Sequence, residues 1–123
     1  MSSIIDILKA AGVIAIVTVN QMSGIRKSTS NGKAAVVNVY SEFCGYSKVM
    51  ADKYVSYVPV TGNKSISFYG ADANKLEGLT GQYGIKGVPT FIGYACGKEL
   101  DRVTGADEPG LSALMTKLGN VKC

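Results

Sequence analysis

The chain contains no histidine and no tryptophan, and cysteine occurs only three times in 123 residues. Without histidine, a Cys–His or Ser–His nucleophilic pair and a His-ligated zinc site are both excluded. The three cysteines, Cys44, Cys96 and Cys123, are odd in number and widely spaced. That pattern predicts neither a disulfide framework nor a four-thiolate metal site, so it favours a reducing compartment and no bound metal.

Strong charge and long apolar runs are scarce as well. Thirteen basic and nine acidic side chains give a formal net charge of +4, with no dense Lys/Arg stripe to indicate a nucleic-acid partner. The uncharged stretch Ala10–Val19 is too short to span a bilayer. Asp6 and Lys9 interrupt the apolar segment that a signal peptide would need. We therefore expect a cytoplasmic protein without a membrane segment.

What remains is the pattern of one globular domain, in which 46% of residues are hydrophobic and 18% are charged. Apolar periodicity predicts strands at Val13–Val19, Ala34–Tyr40, Ser65–Tyr69, Val88–Tyr94 and Glu99–Val103, and helices after Ser3, from Ser47 to Tyr57, over Asn74–Tyr83 and after Asp107. Because strands alternate with helices and a hairpin comes late, we expect an α/β fold. Its mixed central sheet of four to five strands would carry helices on both faces.

Cys44 lies where a predicted buried strand ends and a predicted helix begins. The strand is Ala34–Tyr40, and the segment from Ser47 to Tyr57 contains neither glycine nor proline. The first N–H groups of a helix are unpaired, and its dipole places partial positive charge there. Both features favour a thiolate and lower the pKa of a cysteine below its free value of about 8.5. Cys44 is therefore a candidate nucleophile.

Several segments around and after Cys44 resemble the thioredoxin family. They are Glu42–Lys48 (Glu-Phe-Cys-Gly-Tyr-Ser-Lys), Phe68–Asp72, Tyr83–Phe91 with its Gly-Val-Pro-Thr, and Gly97–Ala106. A reactive cysteine followed about 45 residues later by Gly-Val-Pro-Thr is much more specific than a lone C-x-x-S. The resemblance implies the thioredoxin fold for a core over residues 33–118. Residues 1–32 match poorly and add a divergent helix and first strand to the single domain.

The resemblance also implies which residues of the site are catalytic and which bind the substrate. The catalytic residues would be Cys44, as the attacking sulfur, with Gly45, Tyr46 and Ser47 at the helix start. The substrate-binding residues would be Phe43, Gly87, Val88 and Pro89. The family's proline is cis and faces the reactive cysteine, which leaves the preceding backbone free to pair with an extended peptide.

The sequence departs from the family at three points. Ser47 stands where the family has its second cysteine, so the rapid intramolecular release of product is lost. A hydroxyl at Ser47 can still donate a hydrogen bond to the Cys44 thiolate. Asn38 replaces a buried acid thought to deprotonate that second cysteine, and without this task a buried carboxylate would only be a cost. Phe43 and Tyr40 replace tryptophans, which keeps an apolar surface without its indole donors.

These departures predict a monothiol thiol–disulfide oxidoreductase that needs no cofactor. It would form mixed disulfides with protein disulfides or glutathionylated proteins. An external thiol, such as glutathione, or a thioredoxin reductase would release the product. We expect a monomer that binds no nucleic acid.

Several alternatives stay open. The chain could be a non-catalytic peptide-binding module in which Cys44 is structural, or a dithiol thioredoxin engineered to carry Ser47 as a trap. Cys-Gly-Tyr-Ser also resembles monothiol glutaredoxins, although Gly-Val-Pro-Thr follows thioredoxin. Cys96, in a predicted hairpin turn, is expected to be exposed and incidental; it could alternatively be a glutathione or dimerisation site. Cys123 is expected on a flexible end, from which it could resolve a Cys44 mixed disulfide or link two chains.

Overall fold

The computed structural model describes residues 3–60 and 66–123, with the backbone alone at Val60. The elements in chain order are α1 (Ile4–Ala10), β1 (Ile14–Ala15), α2 (Gln21–Ser28) followed by a 3-10 turn (Thr29–Asn31), β2 (Ala34–Tyr40), α3 (Gly45–Val55), α4 (Tyr57–Val60), β3 (Ile66–Asp72), α5 (Leu79–Gln82), β4 (Thr90–Ala95), β5 (Lys98–Thr104) and α6 (Glu108–Asn120). No helix within these two ranges combines the length and the apolar character that crossing a membrane requires.

The five strands form one mixed sheet in the order β1-β3-β2-β4-β5. Strands β1, β3 and β2 are parallel, whereas β4 runs antiparallel to both β2 and β5. Strand β2 is central, and all seven of its residues are buried. Its continuous apolar run reflects a strand covered on both faces. The predicted mixed sheet is therefore confirmed, with five strands.

Helices cover both faces of the sheet, as predicted. On one face α1, α3 and α6 bury a cluster that includes Ile4, Leu8, Val36, Met50, Tyr54, Phe91, Leu111 and Leu114. On the other face α2 and α5 bury a second cluster that includes Met22, Ile25, Ala35, Val37, Val39, Leu79 and Ile92. Alternate residues of β2 enter opposite clusters because successive strand side chains point to opposite faces.

The predicted helix starts are confirmed at both ends of the chain. Ser3 caps α1, and its hydroxyl accepts a hydrogen bond of 3.2 Å from the Asp6 N–H. Asp107 caps α6, because its side chain accepts a hydrogen bond of 2.9 Å from the Gly110 N–H, and Pro109 lies in the first turn. Each cap satisfies a backbone donor that the start of a helix leaves unpaired.

Two predicted elements are much shorter than expected. The strand expected over Val13–Val19 is reduced to β1, an edge strand with a neighbour on one side only, and the N–H groups of Val17 and Thr18 bond the Gln21 side chain instead. The helix expected over Asn74–Tyr83 is reduced to α5, because Gly78 in front of it adopts a left-handed φ of +84°.

In the middle of the chain, the boundaries of the helix and the strand differ from those predicted. The helix predicted to reach Tyr57 ends at Val55, and a separate turn, α4, begins the segment predicted as a connector. The rest of that connector, residues 61–64, and the predicted first residue of the third strand, Ser65, lie outside the described residues. That strand continues to Asp72, three residues beyond its predicted end, because β2 pairs with it in parallel as far as Tyr40.

Candidate active site

Cys44 is the N-cap residue of α3, directly after the loop that leaves the central strand β2. Its backbone is extended (φ −105°, ψ 121°), and its carbonyl accepts the first helical bond from the Lys48 N–H at 3.2 Å. The Cys44 N–H in turn donates to the Ser41 carbonyl at 3.1 Å. The side chain is half-buried, so the sulfur remains accessible. The predicted strand-to-helix position of Cys44 is therefore confirmed.

The start of α3 lowers the pKa of the Cys44 thiol. The main cause is a hydrogen bond from the Ser47 backbone N–H; partial burial opposes it, while the Tyr46 N–H and the Ser47 hydroxyl lower the pKa further. Ser47 is fully buried, and its Oγ accepts a bond of 3.2 Å from the Ser41 N–H. Since a hydroxyl has a single hydrogen, that acceptor role leaves it free to donate to Cys44.

The sulfur of Cys44 lies beside the peptide bond that joins Val88 to Pro89. This bond is cis, as the resemblance implied, and Cys44 Sγ is 3.6 Å from the Val88 carbonyl oxygen. The hydroxyl of Thr90 donates to the Gly87 carbonyl at 2.6 Å. Folding thus joins two segments 44 residues apart. Gly87 and Val88 are half-buried at this point, and Pro89 is buried.

Three large apolar side chains within five residues of Cys44 are exposed to solvent. Phe43 is 88% exposed, Tyr46 66% and Val49 56%. Tyr46 and Val49 are three residues apart on α3 and so share one face of it. Val49 fits the apolar helical spacing of this segment, but the large side chains that α3 turns inward are Met50 and Tyr54, and Val49 stays exposed. Exposed apolar clusters of this kind are typical of protein-binding surfaces.

Asn38 occupies the position of the family's buried acid. It lies in the middle of β2, paired with Gly70 on one side and Phe91 on the other, and it is completely buried. Neither its amide oxygen nor its amide nitrogen has a hydrogen-bond partner among the residues described. Buried polar groups of this kind destabilise a fold when they are left unpaired.

Substituting Asn38→Leu is therefore expected to stabilise the protein. Leucine has a similar size and removes two unpaired polar atoms, so the free energy of unfolding should rise by about 1–3 kcal/mol. Chemical denaturation measures the change. The matched control is Asn20→Leu, because Asn20 is exposed and its side chain makes no capping bond. A clear loss of stability for Asn38→Leu would show that the amide has a partner.

The other two cysteines form a disulfide, contrary to the sequence interpretation. Cys96 and Cys123 are joined across 27 residues, with Cα atoms 5.3 Å apart. Cys96 and Gly97 form the β4–β5 turn, both with positive φ, and the end of α6 lies beside it. Cys96 is therefore not incidental, and Cys123 is not on a free end.

The disulfide is also remote from Cys44. The nucleophile faces the start of β4, whereas Cys96 follows the last residue of this six-residue strand. At about 3.4 Å per residue the two sites are separated by roughly 20 Å of strand. The prediction that Cys123 could resolve a Cys44 mixed disulfide is therefore wrong. Of the three cysteines, all of which lie in the described ranges, Cys44 alone is free.

This arrangement defines a class of protein. An accessible, ionisable sulfur at the end of a central strand, opposed by a cis-proline peptide, is suited to exchange of sulfur–sulfur bonds with an extended chain. Thiol–disulfide oxidoreductases built on the thioredoxin fold combine these parts.

Comparison with known proteins agrees with this class. The family model described as Thioredoxin matches residues 14–117, and the chain belongs to the thioredoxin family. A protein named Putative thioredoxin-5 from Dictyostelium discoideum is 32% identical over 88 residues, which span 72% of this chain and 84% of that protein. Thioredoxin-2, mitochondrial, from Schizosaccharomyces pombe is 33% identical over 91 residues, which span 72% of this chain and 65% of that protein.

Solved structures show the same fold. Thioredoxin NaTrxh from Nicotiana alata superposes with a TM-score of 0.76 at 26% identity, covering 88% of this chain and 93% of that one. Thioredoxin from Malassezia sympodialis also gives a TM-score of 0.76, at 24% identity, over 87% and 90% of the two chains. The thioredoxin fold predicted from the sequence is confirmed, and the protein is a thiol–disulfide oxidoreductase of this family.

Proposed function

We propose that this protein works through one thiol and forms mixed disulfides with protein disulfides or glutathionylated proteins. The observation that carries the proposal is the environment of Cys44. Its sulfur is free, accessible and 3.6 Å from the Val88 carbonyl oxygen, and the position of a second thiol is taken by the buried Ser47.

The reaction begins with attack by the Cys44 thiolate on one sulfur of the substrate disulfide. A new bond forms between Cys44 Sγ and that sulfur, the substrate bond breaks, and the other sulfur leaves as a thiolate that takes a proton from solvent. The N–H groups of Tyr46 and Ser47 stabilise the charge on Cys44 before attack. With a glutathionylated protein, attack on the glutathione sulfur releases the protein thiol in the same step.

The second step needs a thiol from outside the chain. Ser47 offers a hydroxyl, which does not displace sulfur from a disulfide at neutral pH. An external thiolate, such as glutathione, attacks the Cys44 sulfur and expels the substrate as a thiol. A second external thiol then restores Cys44 and leaves as the oxidised disulfide. Glutathione or a thioredoxin reductase would supply these electrons.

The substrate would bind as an extended segment along residues 87–89. The cis bond before Pro89 holds the backbone of Val88 beside the sulfur, and the exposed Phe43, Tyr46 and Val49 provide an apolar surface next to it. Backbone pairing with an extended peptide is a recurring mode of recognition, with neighbouring apolar contacts adding affinity.

Intact-protein mass spectrometry tests the proposal. The reagent is a synthetic peptide disulfide added to protein in which Cys44 is reduced and the Cys96–Cys123 bond is intact. We expect a one-to-one adduct that persists until glutathione is added, and no adduct for Cys44→Ala. Spontaneous release of both peptide halves as thiols would contradict the one-thiol mechanism. Peptide binding without any adduct would favour the non-catalytic module instead, and adducts at Cys96 or Cys123 would contradict the assignment of the nucleophile.

A further inference from the structure

Glu42 lies two residues before the nucleophile, and its carboxylate bonds the first turn of α1. Oε1 accepts from the Ile4 N–H at 2.8 Å, and Oε2 accepts from the Ile5 N–H at 2.9 Å. The two contacts join residues 38 and 37 positions apart in the chain. Both donors are among those that a helix start leaves unpaired, and the dipole of a helix favours negative charge at this end.

Helix α1 is a firm anchor for this carboxylate. Ile4 and Leu8 are buried to 1% and 0% exposure, in the same cluster as Met50 and Tyr54 of α3. Leu8 also packs against the backbone of Gly70, where a Cβ would lie only 2.7 Å from Leu8 Cδ1. The family model begins its match at residue 14, after α1. The anchor therefore comes from the part of the chain outside the matched region.

The loop that Glu42 holds leads directly to the reactive sulfur. Within it, the Phe43 N–H donates to Ser41 Oγ at 3.2 Å, and the hydroxyl of Ser41 bonds Asn74. These two bonds fold the loop onto Ser41 and tie Ser41 to the segment after β3. The carboxylate of Glu42 adds a bidentate tie to α1, which packs against α3, the helix that Cys44 caps.

We propose that Glu42 is a positioning residue for Cys44, which by bonding the Ile4 and Ile5 amides holds the loop so that Cys44 Sγ stays beside the α3 N–H groups and the Val88 carbonyl. The inference rests on the proposed role of Cys44 as the nucleophile. Glu42 itself need not touch the substrate.

An electrostatic role and a positioning role of Glu42 predict opposite changes in the pKa of Cys44 when Glu42 is replaced. A nearby carboxylate repels a thiolate, so removing its charge alone would lower the pKa of Cys44 and increase its reactivity. Loosening the loop would instead weaken the hydrogen bonds to the sulfur, raise its pKa and slow its reaction. The direction of the change therefore distinguishes a positioning role from a simple electrostatic one.

The experiment measures the rate at which iodoacetamide, an uncharged reagent, alkylates Cys44 across pH. The full-length wild type is compared with Glu42→Gln, Glu42→Asp and the control Glu99→Gln, since Glu99 is exposed and follows the β4–β5 turn, at the opposite end of β4 from Cys44. Glu42→Asp keeps the charge but is too short to bond both amides. We expect both Glu42 variants to move the midpoint upward by about half a pH unit, which lowers the thiolate fraction about threefold below the midpoint. The control should not move.

An unchanged or lowered midpoint in Glu42→Gln, or wild-type behaviour of Glu42→Asp, would overturn the positioning role. Should one variant be too unstable to measure, the other still decides the question. Alkylation needs no disulfide substrate. A wild type that alkylates normally but forms no peptide adduct would therefore overturn the proposed function and leave the role of Glu42 to be judged on the midpoints alone.

Discussion

Replacing Ser47 with cysteine is expected to convert a reaction that stops at a mixed disulfide into one that proceeds to free product. The Ser47 side chain is buried at the start of α3, and its hydroxyl bonds the Cys44 sulfur. A thiol at this position would therefore lie within reach of the Cys44–substrate disulfide. Neighbouring groups react as if at very high concentration, so release of the product should accelerate at least about tenfold.

Single-turnover reduction of insulin measures this effect. Pre-reduced protein is mixed with insulin without any other thiol, and free insulin chains are separated from adducts by mass spectrometry. Ser47→Cys should release the chains and end with a disulfide between Cys44 and the introduced thiol, whereas the wild type should retain the chains as adducts. The control, Ser47→Ala, removes the hydroxyl without adding a thiol and should also retain them. Equal release by the wild type and Ser47→Cys would contradict the one-thiol mechanism.

Removing the Cys96–Cys123 bond is expected to destabilise the fold strongly. The bond closes the segment that contains β5 and α6, and its cysteines are 27 residues apart. Crosslinking a loop of this length reduces the entropy of the unfolded chain, which corresponds to about 3.5 kcal/mol at 25 °C. The double variant Cys96→Ser/Cys123→Ser should lose this amount in guanidinium denaturation, relative to the oxidised wild type.

The control for this prediction is the same comparison after the bond has been reduced. Under reducing conditions the wild type and the double variant should unfold at similar denaturant concentrations. The reactivity of Cys44 should be the same in all samples, because the bond lies at the opposite end of β4 from the sulfur. Equal stability of the wild type and the variant under oxidising conditions would show that the two cysteines are not joined in solution.

Sequence patterns predicted the parts of the site that depend on local chemistry. The apolar run of β2, the cysteine that follows it and the uninterrupted helix after it are local signals, and the structure places Cys44 accordingly. Gly-Val-Pro-Thr predicted the cis bond before Pro89 by resemblance, and the fold brings that bond to the sulfur. Helix caps such as Ser3 and Asp107 were equally local, since each cap bonds an N–H three residues away.

The features that the sequence did not predict depend on contacts between distant segments. The spacing of Cys96 and Cys123 gave no sign that a hairpin turn and the end of α6 would meet. Val49 fits an apolar helical pattern, but α1 and the sheet cover only one side of α3. Nothing in the sequence around Glu42 distinguishes it from an ordinary exposed acid, because its partners at the start of α1 lie 37 and 38 residues away. In each case packing, rather than local preference, determines the environment of the residue.

Titration of the Cys44 thiolate by its ultraviolet absorbance shows whether the start of α3 activates the sulfur, with Cys44→Ala as the blank. A thiol whose pKa is lowered ionises at lower pH, so we predict a midpoint below the value of about 8.5 for a free cysteine. Ser47→Ala should move the midpoint upward, because it removes the hydroxyl that donates to the sulfur. A midpoint at or above the free value would show that the start of α3 does not activate Cys44, and would contradict its role as an activated nucleophile.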